Sequence, residues 1–269
     1  MQSRRALLVL ASALLASVVV QLPSVAQDSA AQILAPQILA PEGKLRVGVY
    51  LGSPTSMVQQ GASGEAHGVA YDLGRELAKR LGVGFEPVIH SRVAEVLEAM
   101  KAGKVDFTVT NATPARAQDV DFTQTLFSLE LGYLVPAHSP IVAIADMDKA
   151  GRRIGVSQGS TSERTLPKVV IQAAIVPAPS LKDAVQMMND NKLDAFATNK
   201  SILFEMSDGM PGARVLDGRW GVEHMAAAIP KGRDGAQDYL RKFVDEIQKN
   251  GLLNGAIKQS GLRGFVPPE

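Results

Sequence analysis

Apolar and polar residues alternate along the stretch 104–116, whose sequence is KVDFTVTNATPAR. This period of two predicts a strand over 105–109. The alternation ends at Thr110 and Asn111, and the Thr-Pro pair that follows is typical of a helix start, which would carry Arg116 on its first turn. Polar side chains therefore gather at the carboxyl end of a strand, where ligands bind in open α/β sheets. We expect these three polar residues to form part of a site for an anion.

The same pattern occurs a second time in the chain. Residues 94–111 read AEVLEAMKAGKVDFTVTN and residues 182–199 read KDAVQMMNDNKLDAFATN, so that the Lys-(Val/Leu)-Asp and closing Thr-Asn segments align without a gap. Each copy has the pattern of a helix, a turn and a strand. A repeat of this length favours two similar α/β lobes and gives Asn199 the place in one lobe that Asn111 has in the other. The alternative is that Gly-Lys-Val-Asp is a generic turn between a helix and a strand.

Strand and helix patterns alternate through the rest of the chain, which predicts an α/β fold with mixed sheets wrapped by helices. The predicted strands are 45–49, 85–89, 105–109, 153–156, 169–176, 193–197 and 225–230, with an extended crossover at 132–136. The predicted helices are 68–81, 93–100, a short one from the capping residue Ser160, 181–189 and 240–247. We expect one lobe from 44–136 with 224–269, a second lobe from 137–223, and a ligand cleft between the two lobes.

The amino-terminal residues have the pattern of a secretory signal peptide. Arg4 and Arg5 precede an apolar run over 6–20, and Ser24-Val25-Ala26 resembles a cleavage site. The apolar run is short for a permanent transmembrane anchor, which needs about 20 residues. We therefore expect a signal peptide at 1–26, a tether at 27–43 and a protein located in the periplasm.

Composition excludes several classes of function. The formal net charge is only +1, so no basic surface for nucleic acid is expected. The chain has no cysteine, which removes lipid attachment, disulfides, thiol nucleophiles and cysteine zinc sites from consideration. The four histidines are scattered along the chain without helical pairing. We expect neither a metal site nor a cofactor.

A set of motifs is together similar to those of a known family. They are 68–73 (GVAYDL), 78–82 (AKRLG), 102–106 (AGKVD), 113–116 (TPAR), 120–123 (VDFT), 155–161 (GVSQGST) and 193–195 (LDA). Through them the chain resembles the bacterial extracellular solute-binding proteins of family 3, the receptors of ABC uptake systems for polar amino acids and related small acids. The resemblance implies a periplasmic-binding-protein type II fold, in which two crossover segments join two α/β lobes. It also implies a monomer without enzyme activity, whose partners are a small carboxylate-bearing solute and a membrane permease.

The resemblance also implies roles for particular residues. Arg116 would grip a ligand carboxylate, because a planar guanidinium donates two parallel hydrogen bonds to it. The backbone and hydroxyl of Thr161, at a helix start in the other lobe, would add donors to that carboxylate. The chain departs from the family where Asn199 and Tyr50 replace acidic residues, and its loop before Arg116 is about two residues short. We therefore expect a ligand that carries a carboxylate and does not depend on an α-amino group.

The site residues also have purely structural alternatives. Arg116 could pair with Asp119 or Asp121 on its own turn, and Thr161 could act only as a helix cap. Asn111 and Asn199 could satisfy turn backbone. Near the predicted crossovers, Tyr133 and Trp220 are expected to pack rather than to stack on a ligand. The full set of expected ligand-binding residues is Tyr50, Ser53, Thr110, Asn111, Arg116, Ser160, Thr161 and Asn199.

Two enzyme classes remain as alternatives. The segment 155–159 fits Gly-x-Ser-x-Gly, and Asp183 or Asp194 and then His224 follow Ser157 in the order of a hydrolase triad. No glycine-rich oxyanion loop precedes this segment. Cyclohexadienyl dehydratases also resemble the family, but dehydration needs a positioned general acid in the cleft. The two positions where such carboxylates were expected hold Tyr50 and Asn199.

Overall fold

The computed structural model describes residues 34–59 and 64–266, so the expected signal peptide at 1–26 lies outside the described residues. The first elements are helix α1 (34–39), strands β1 (Lys44–Tyr50), β2 (Val58–Gln59) and β3 (Ala66–His67), helix α2 (Val69–Leu81), strand β4 (Gly84–His90), helix α3 (Val93–Lys101), and strands β5 (Thr108–Asn111) and β6 (Val120–Val135). They are followed by β7 (Arg153–Ser157), α4 (Thr161–Thr165), β8 (Ala174–Ala178), α5 (Leu181–Asn189), β9 (Ala195–Asn199), α6 (Lys200–Asp208) and β10 (Arg214–Val215). The last elements are β11 (Gly221–Pro230), α7 (Gln237–Lys249), α8 (Leu252–Gln259) and β12 (Phe265–Val266).

The described strands form two α/β lobes that share two long strands. The largest sheet runs in the order β5-β11-β6-β9-β7-β8, and β1 pairs with β4 in parallel. A parallel bridge between Val47 and Phe107 connects β1 to the segment just before β5. The amino-terminal part of β6 pairs with β11, whereas its residues Leu131 to Leu134 pair with β9. Strands β6 and β11 are therefore the two crossovers between the lobes.

The buried apolar residues separate into cores on either side of this crossover. The first lobe packs α2, α7 and α8 against β1, with Leu73, Phe107 and Phe243 among its buried residues. The second lobe packs around β7 and β9, with Tyr133 and Phe196 fully buried in its two clusters. On β6, Leu129 is part of the core of the first lobe, whereas Tyr133 is part of a core of the second lobe. The change of lobe therefore occurs a few positions before the expected boundary at residues 136 and 137. The exact division of the chain remains a proposal.

Each copy of the internal repeat contains an Asp that binds an Arg of the first strand of its lobe through the same three hydrogen bonds, an arrangement that we call the repeat clasp. In the first lobe the Asp106 carboxylate accepts hydrogen bonds from Arg46 N, Nε and Nη2 at 3.0, 2.8 and 2.9 Å. In the second lobe the Asp194 carboxylate accepts the same three bonds from Arg153 at 2.7, 3.2 and 3.0 Å. Each aspartate of the repeat thus ties its own strand to the first strand of its lobe.

Two segments differ from the sequence prediction. The tether expected at 27–43 is wrong over its second half, because residues 34–39 are helical and Ala35 and Leu39 are completely buried in the first core. These two residues are four positions apart, so they share one helix face. The strand expected at 169–176 begins only at Ala174, since the Asp148 carboxylate accepts the backbone N–H groups of residues 171–173. The strand of the opening motif lies at Thr108–Asn111, later than the predicted 105–109.

Candidate functional site

A narrow cavity of about 30 Å³ lies where the two lobes meet. Its walls are Tyr50, Arg92, Val93, Thr110, Asn111, Arg116, Ser157, Ser160, Thr161, Ser162, Leu181, Thr198, Asn199, Ile202, Glu223 and Met225. The structure therefore brings together seven of the eight residues predicted from the sequence and leaves out Ser53. The cavity has room for about two water molecules, so a larger solute requires the lobes to separate from this closed arrangement.

Arg116 is buried at one wall of this cavity with part of its guanidinium unused. A single 3₁₀ turn, Arg116–Gln118, positions it, and its backbone N–H donates to Thr113 Oγ1 at 3.2 Å. Nη1 donates to Thr110 Oγ1 at 2.8 Å and to the Asn111 carbonyl at 3.1 Å. Nε is buried and has no hydrogen-bond partner within the described part of the chain. Burial lowers the pKa of Arg116 to about 10, so the guanidinium stays charged at neutral pH.

The alternative expectation, that Arg116 forms an ion pair with Asp119 or Asp121 of its own turn, is wrong. Asp119 lies 2.8 Å from Lys101 Nζ, and Asp121 lies 2.6 Å from Lys231 Nζ. Arg116 instead points into the cleft, where the carboxylate that affects its pKa is Glu223.

Glu223 is a buried acid that the sequence prediction missed. It lies on the crossover strand β11 with 8% of its surface exposed, and it lines the cavity together with Arg116. Burial raises the pKa of Glu223, and the Arg116 charge and hydrogen bonds from two asparagines act in the opposite direction. The cleft therefore contains a carboxylate, although the two positions where the sequence analysis looked for one hold Tyr50 and Asn199.

The two asparagines of the internal repeat converge on this one carboxylate. Asn111 Nδ2 lies 3.4 Å from Glu223 Oε1, and Asn199 Nδ2 lies 3.1 Å from Glu223 Oε2. Their side-chain oxygens are already used, since Asn111 Oδ1 accepts the His224 N–H and Asn199 Oδ1 accepts the Ile202 N–H. Each lobe thus presents an amide N–H group to a different oxygen of Glu223. Both asparagines therefore bind backbone N–H groups, as the alternative expected, and both also line the cavity.

Helix α4 brings donors from the second lobe. Ser160 Oγ accepts the Glu163 N–H at 3.2 Å, which confirms the predicted cap. Thr161 Oγ1 lies 3.4 Å from Asn111 Nδ2 of the first lobe. The lobes approach closely here, because a Cβ placed on Gly159, whose φ is +73°, would lie 2.5 Å from Ala94 Cβ. Only glycine suits both this backbone conformation and this contact.

Tyr50 and Ser53 follow β1, as predicted, but only Tyr50 lines the cavity. Burial raises the pKa of the Tyr50 phenol, whereas hydrogen bonding with Ser53 and Thr55 acts in the opposite direction. Ser53 Oγ lies 2.8 Å from Thr55 Oγ1 and is fully buried. Ser53 therefore lies behind the wall, where it can orient the Tyr50 hydroxyl, and the prediction that it faces a ligand has no support in this arrangement.

The residues of a hydrolase triad do not come together. His224 Nδ1 lies 3.0 Å from Ser128 Oγ, and its side chain is exposed while the neighbouring Glu223 is buried. Asp183 accepts a bond from Ser180, and Asp194 binds Arg153. Ser157 lines the cavity without a base beside it among these groups. No group of three or more metal-binding side chains occurs among residues 34–59 and 64–266.

Two charged residues of the cavity wall that the sequence prediction missed, Glu223 and Arg92, carried faint signals in the sequence. Glu223 lies two positions before Met225, so strand alternation puts both on one face, and Met225 lines the cavity. Arg92 precedes a predicted helix, where a solvent-exposed cation is the ordinary expectation. Its Nε is nevertheless buried without a hydrogen-bond partner in the described residues.

Comparisons with known proteins agree with this arrangement. The model of the bacterial extracellular solute-binding proteins, family 3, matches residues 45–260. The chain is 26% identical to a glutamine-binding protein of Geobacillus stearothermophilus over 180 residues, which are 65% of this chain and 68% of that protein. It is 22% identical to an ABC transporter glutamine-binding protein of Bacillus subtilis over 205 residues, 74% of each chain.

A solved structure also has the same fold. It is that of an ancestral amino acid-binding protein described as a precursor of cyclohexadienyl dehydratase, with a TM-score of 0.72 and 24% identity, covering 82% of this chain and 96% of that one. At this level of identity the likeness shows the fold alone. It agrees with the two α/β lobes joined by β6 and β11.

Proposed function

The chain belongs to the bacterial extracellular solute-binding proteins of family 3, and from this premise we propose that it serves an ABC uptake system by closing its two lobes around a small carboxylate-bearing solute. The observation that supports this is the unused donor edge of Arg116. Its Nη1 is held by Thr110 and Asn111, which leaves the buried Nε for the ligand. A buried donor without a partner costs free energy, so a carboxylate at this edge would be favoured.

Both lobes would contribute to the binding of that carboxylate. Arg116 belongs to the first lobe, and the Thr161 hydroxyl reaches the same cavity from the second lobe. A ligand that contacts both lobes stabilises the closed form by its differential affinity for that form. The solute would then be delivered to a membrane permease by a monomeric receptor in the periplasm.

Glu223 extends the proposal to solutes with an amino group. Its carboxylate oxygens retain lone pairs beyond those directed at the two asparagines. A ligand ammonium beside this carboxylate would gain a charge-assisted hydrogen bond and avoid the cost of an uncompensated buried charge. We therefore propose a zwitterionic, α-amino-acid-type solute, which replaces the expectation of a ligand that does not depend on its amino group. The glutamine-binding relatives agree with this class.

We also propose that the protein is exported to the periplasm. The signal peptide expected at 1–26 lies outside the described residues. None of the helices within residues 34–59 and 64–266 is long and apolar enough to cross a membrane. Intact mass of the protein recovered from the periplasm should correspond to a chain that starts at Gln27, and retention of Met1 in a membrane fraction would contradict this.

Calorimetry on Arg116 variants tests the carboxylate site. A thermal-shift screen of amino acids and their amides first identifies a binding solute, since a ligand at 100 times its Kd adds about 2.7 kcal/mol of stability. We expect Arg116→Ala to weaken binding by about 30-fold to several thousand-fold, because truncating one partner of a buried charge pair costs roughly 2 to 5 kcal/mol. Arg116→Lys keeps the charge but not the parallel donors, so it should also bind at least about tenfold more weakly.

Comparing the two variants shows whether binding is lost because the protein misfolds. Arg116→Lys retains a cation beside Glu223, so its melting temperature should stay close to that of the wild type. A loss below threefold in both variants, with the fold intact, would mean that Arg116 does not contact the solute. No thermal shift with any carboxylate would refute the proposed function itself.

A dehydratase on the same fold is the second candidate, and Glu223 is the observation that favours it. A buried carboxyl with a raised pKa is suited to protonate a departing hydroxyl group. Incubation with a hydroxycyclohexadiene carboxylate, followed by the ultraviolet absorbance of an aromatic product, tests this. We expect no turnover. Turnover that Glu223→Gln abolishes would establish the enzyme instead.

A further inference from the structure

The last described residues, 261–266, extend from the first lobe onto a helix of the second lobe, and we call them the C-terminal strap. Leu262 is buried in the core of the first lobe. Strand β12 pairs with the part of β6 that belongs to the same lobe. Between these two points the Gly264 carbonyl accepts the Glu130 N–H at 3.2 Å. The strap is therefore anchored to the first lobe on both sides of Gly264.

Two residues of the strap contact α6, which belongs to the second lobe. Arg263 Nη1 and Nη2 lie 3.3 and 2.5 Å from the two carboxylate oxygens of Asp208. The guanidinium carbon lies 5.0 Å from the centre of the Phe204 ring. Gly264 has a φ of +71°, and a Cβ placed on it would lie 2.6 Å from Lys200 Cβ, so glycine suits both the conformation and the close approach. The strap thus contacts α6 at its amino end, its middle and its carboxyl end.

These contacts depend on the angle between the lobes. Helix α6 moves with the second lobe, because Leu203 and Met206 are buried in a core of that lobe. Lys200 and Asp208 are eight residues apart, which is about 12 Å along a helix. A strap that is fixed in the first lobe cannot keep its contacts with both ends of α6 while the lobes rotate against each other. Rotation of the lobes therefore changes at least one of these contacts.

A groove beside the strap leaves room for such a rotation. Its volume is about 910 Å³, and its walls include α8 and the strap on one side and Glu205 and Asp208 of α6 on the other. The ion pair between Arg263 and Asp208 thus spans the edge of an open space between the lobes. Both side chains are partly exposed, so the contact can break without uncovering a packed core.

We propose that the C-terminal strap holds the two lobes together in the absence of solute, through the contacts of Arg263 with Asp208 and Phe204. The carboxyl end of α6 binds the strap, and the amino end of the same helix carries Asn199 into the cleft. A contact that is present only in the closed form raises the population of that form by the free energy of the contact. This inference rests on the lobe closure of the proposed function, but it concerns the protein without solute.

Distances between spin labels on the two lobes test the strap. The chain has no cysteine, so Lys104→Cys and Lys168→Cys place one label on an exposed position of each lobe. Double electron–electron resonance on solute-free protein then gives the ratio of the short, closed distance to the long, open one. We expect Arg263→Ala to lower this ratio by about threefold to tenfold, the combined effect of one exposed ion pair and one exposed cation–π contact.

Arg80→Ala is the matched control. Arg80 also pairs with a carboxylate, that of Glu246 at 2.6 Å, and lies over a phenyl ring, that of Phe243 at 5.1 Å. All three residues belong to the first lobe, so this variant should keep the wild-type ratio even where its melting temperature falls. Gly264→Ala is a second test, because its added methyl group meets Lys200 and displaces the strap from α6. It should lower the ratio as Arg263→Ala does.

The outcomes separate the strap from the proposed function. An unchanged ratio in both strap variants, or an equal decrease in Arg80→Ala, would overturn the proposal. So would a wild-type protein that shows only the long distance without solute. The measurement involves no solute, so a failure to bind any carboxylate would refute the proposed function and leave the role of the strap standing.

Discussion

Asn199 shows how a single side-chain atom determines the charge pattern of the cleft. Its Oδ1 caps α6 through the Ile202 N–H, so its Nδ2 must face Glu223 Oε2 at 3.1 Å. An aspartate at this position would place two carboxylates side by side and raise the pKa of one of them further. The amide at Asn199 and the acid at Glu223 therefore belong together, and the cleft keeps its anionic group on the crossover strand.

The titration of Glu223 predicts how binding depends on pH. Burial raises its pKa, and an ammonium needs the ionised form. Affinity for an amino acid should therefore increase as pH rises through the raised pKa of Glu223 and then level off. Calorimetry at several pH values measures this trend, and Glu223→Gln should give weaker binding that does not vary with pH over that range.

The same titration separates the two candidate functions. A general acid must be protonated, so dehydratase activity would fall as pH rises through the raised pKa, the reverse of the trend for binding. In the absence of ligand, the folded protein holds this proton more tightly than the unfolded chain does. Glu223 therefore makes the free protein less stable as pH rises through that window. Affinity that is independent of pH in the wild type would argue against an ammonium at Glu223.

At the scale of elements, the two repeat clasps make the same hydrogen bonds, but their aspartates differ in burial and in the number of arginines that they bind. The Asp106 side chain is completely buried and also accepts Arg233 Nη2 at 2.7 Å. The Asp194 side chain is 31% exposed and pairs with Arg153 in the second lobe. Burial alone would raise the pKa of Asp106, but hydrogen bonds from Arg46 and Arg233 outweigh it and hold the pKa below its usual range.

We expect Asp106→Asn to destabilise the protein by about 3 to 5 kcal/mol, because it leaves two arginines without their buried partner. Asp194→Asn should cost less, since solvent screens that pair. Urea unfolding of the two variants measures the difference. The Asp106 contribution is present above its unfolded pKa and is lost as pH falls through its lowered folded pKa. Equal losses in the two variants would mean that burial does not distinguish the clasps.

Much of the fold could be predicted because local patterns and tertiary packing agree. The repeat aligned Asp106 with Asp194 and Asn111 with Asn199, and the structure gives both pairs matching contacts. The cap at Ser160, whose Oγ accepts the Glu163 N–H, is also as predicted. In these places the sequence signal depends on neighbours a few residues away.

The errors arose where distant contacts override local composition. The helix at 34–39 contains Pro36 in a Pro-rich stretch, and its residues Ala35 and Leu39 are buried in the first core. Val169 and Ile171 suggested a strand, yet both are exposed beside the turn that Asp148 binds. Glu223 appeared to be an ordinary polar residue before a strand. Its burial depends on two lobes and two crossovers that no local pattern contains.

At the scale of the whole molecule, the small cavity predicts a change of shape. The narrow cavity is lined by residues of both lobes, so we expect the solute to enter a form in which the lobes are further apart. Hinge closure on the μs to ms timescale is the expected response. Small-angle scattering should give a larger radius of gyration for free protein than for protein with a bound amino acid, and an unchanged radius at saturation would contradict the closing motion.

The position of β11 in the sheet has a consequence for the order of assembly. It lies between β5 and β6, yet it follows both in the chain. During synthesis the second lobe can complete its own strand order, β6-β9-β7-β8, while β5 still presents an unpaired edge. The strand that closes the first sheet also carries Glu223. An incomplete chain that ends before β11 therefore has neither a finished first lobe nor the acid of the cleft, and solute recognition becomes available only when the first lobe is complete.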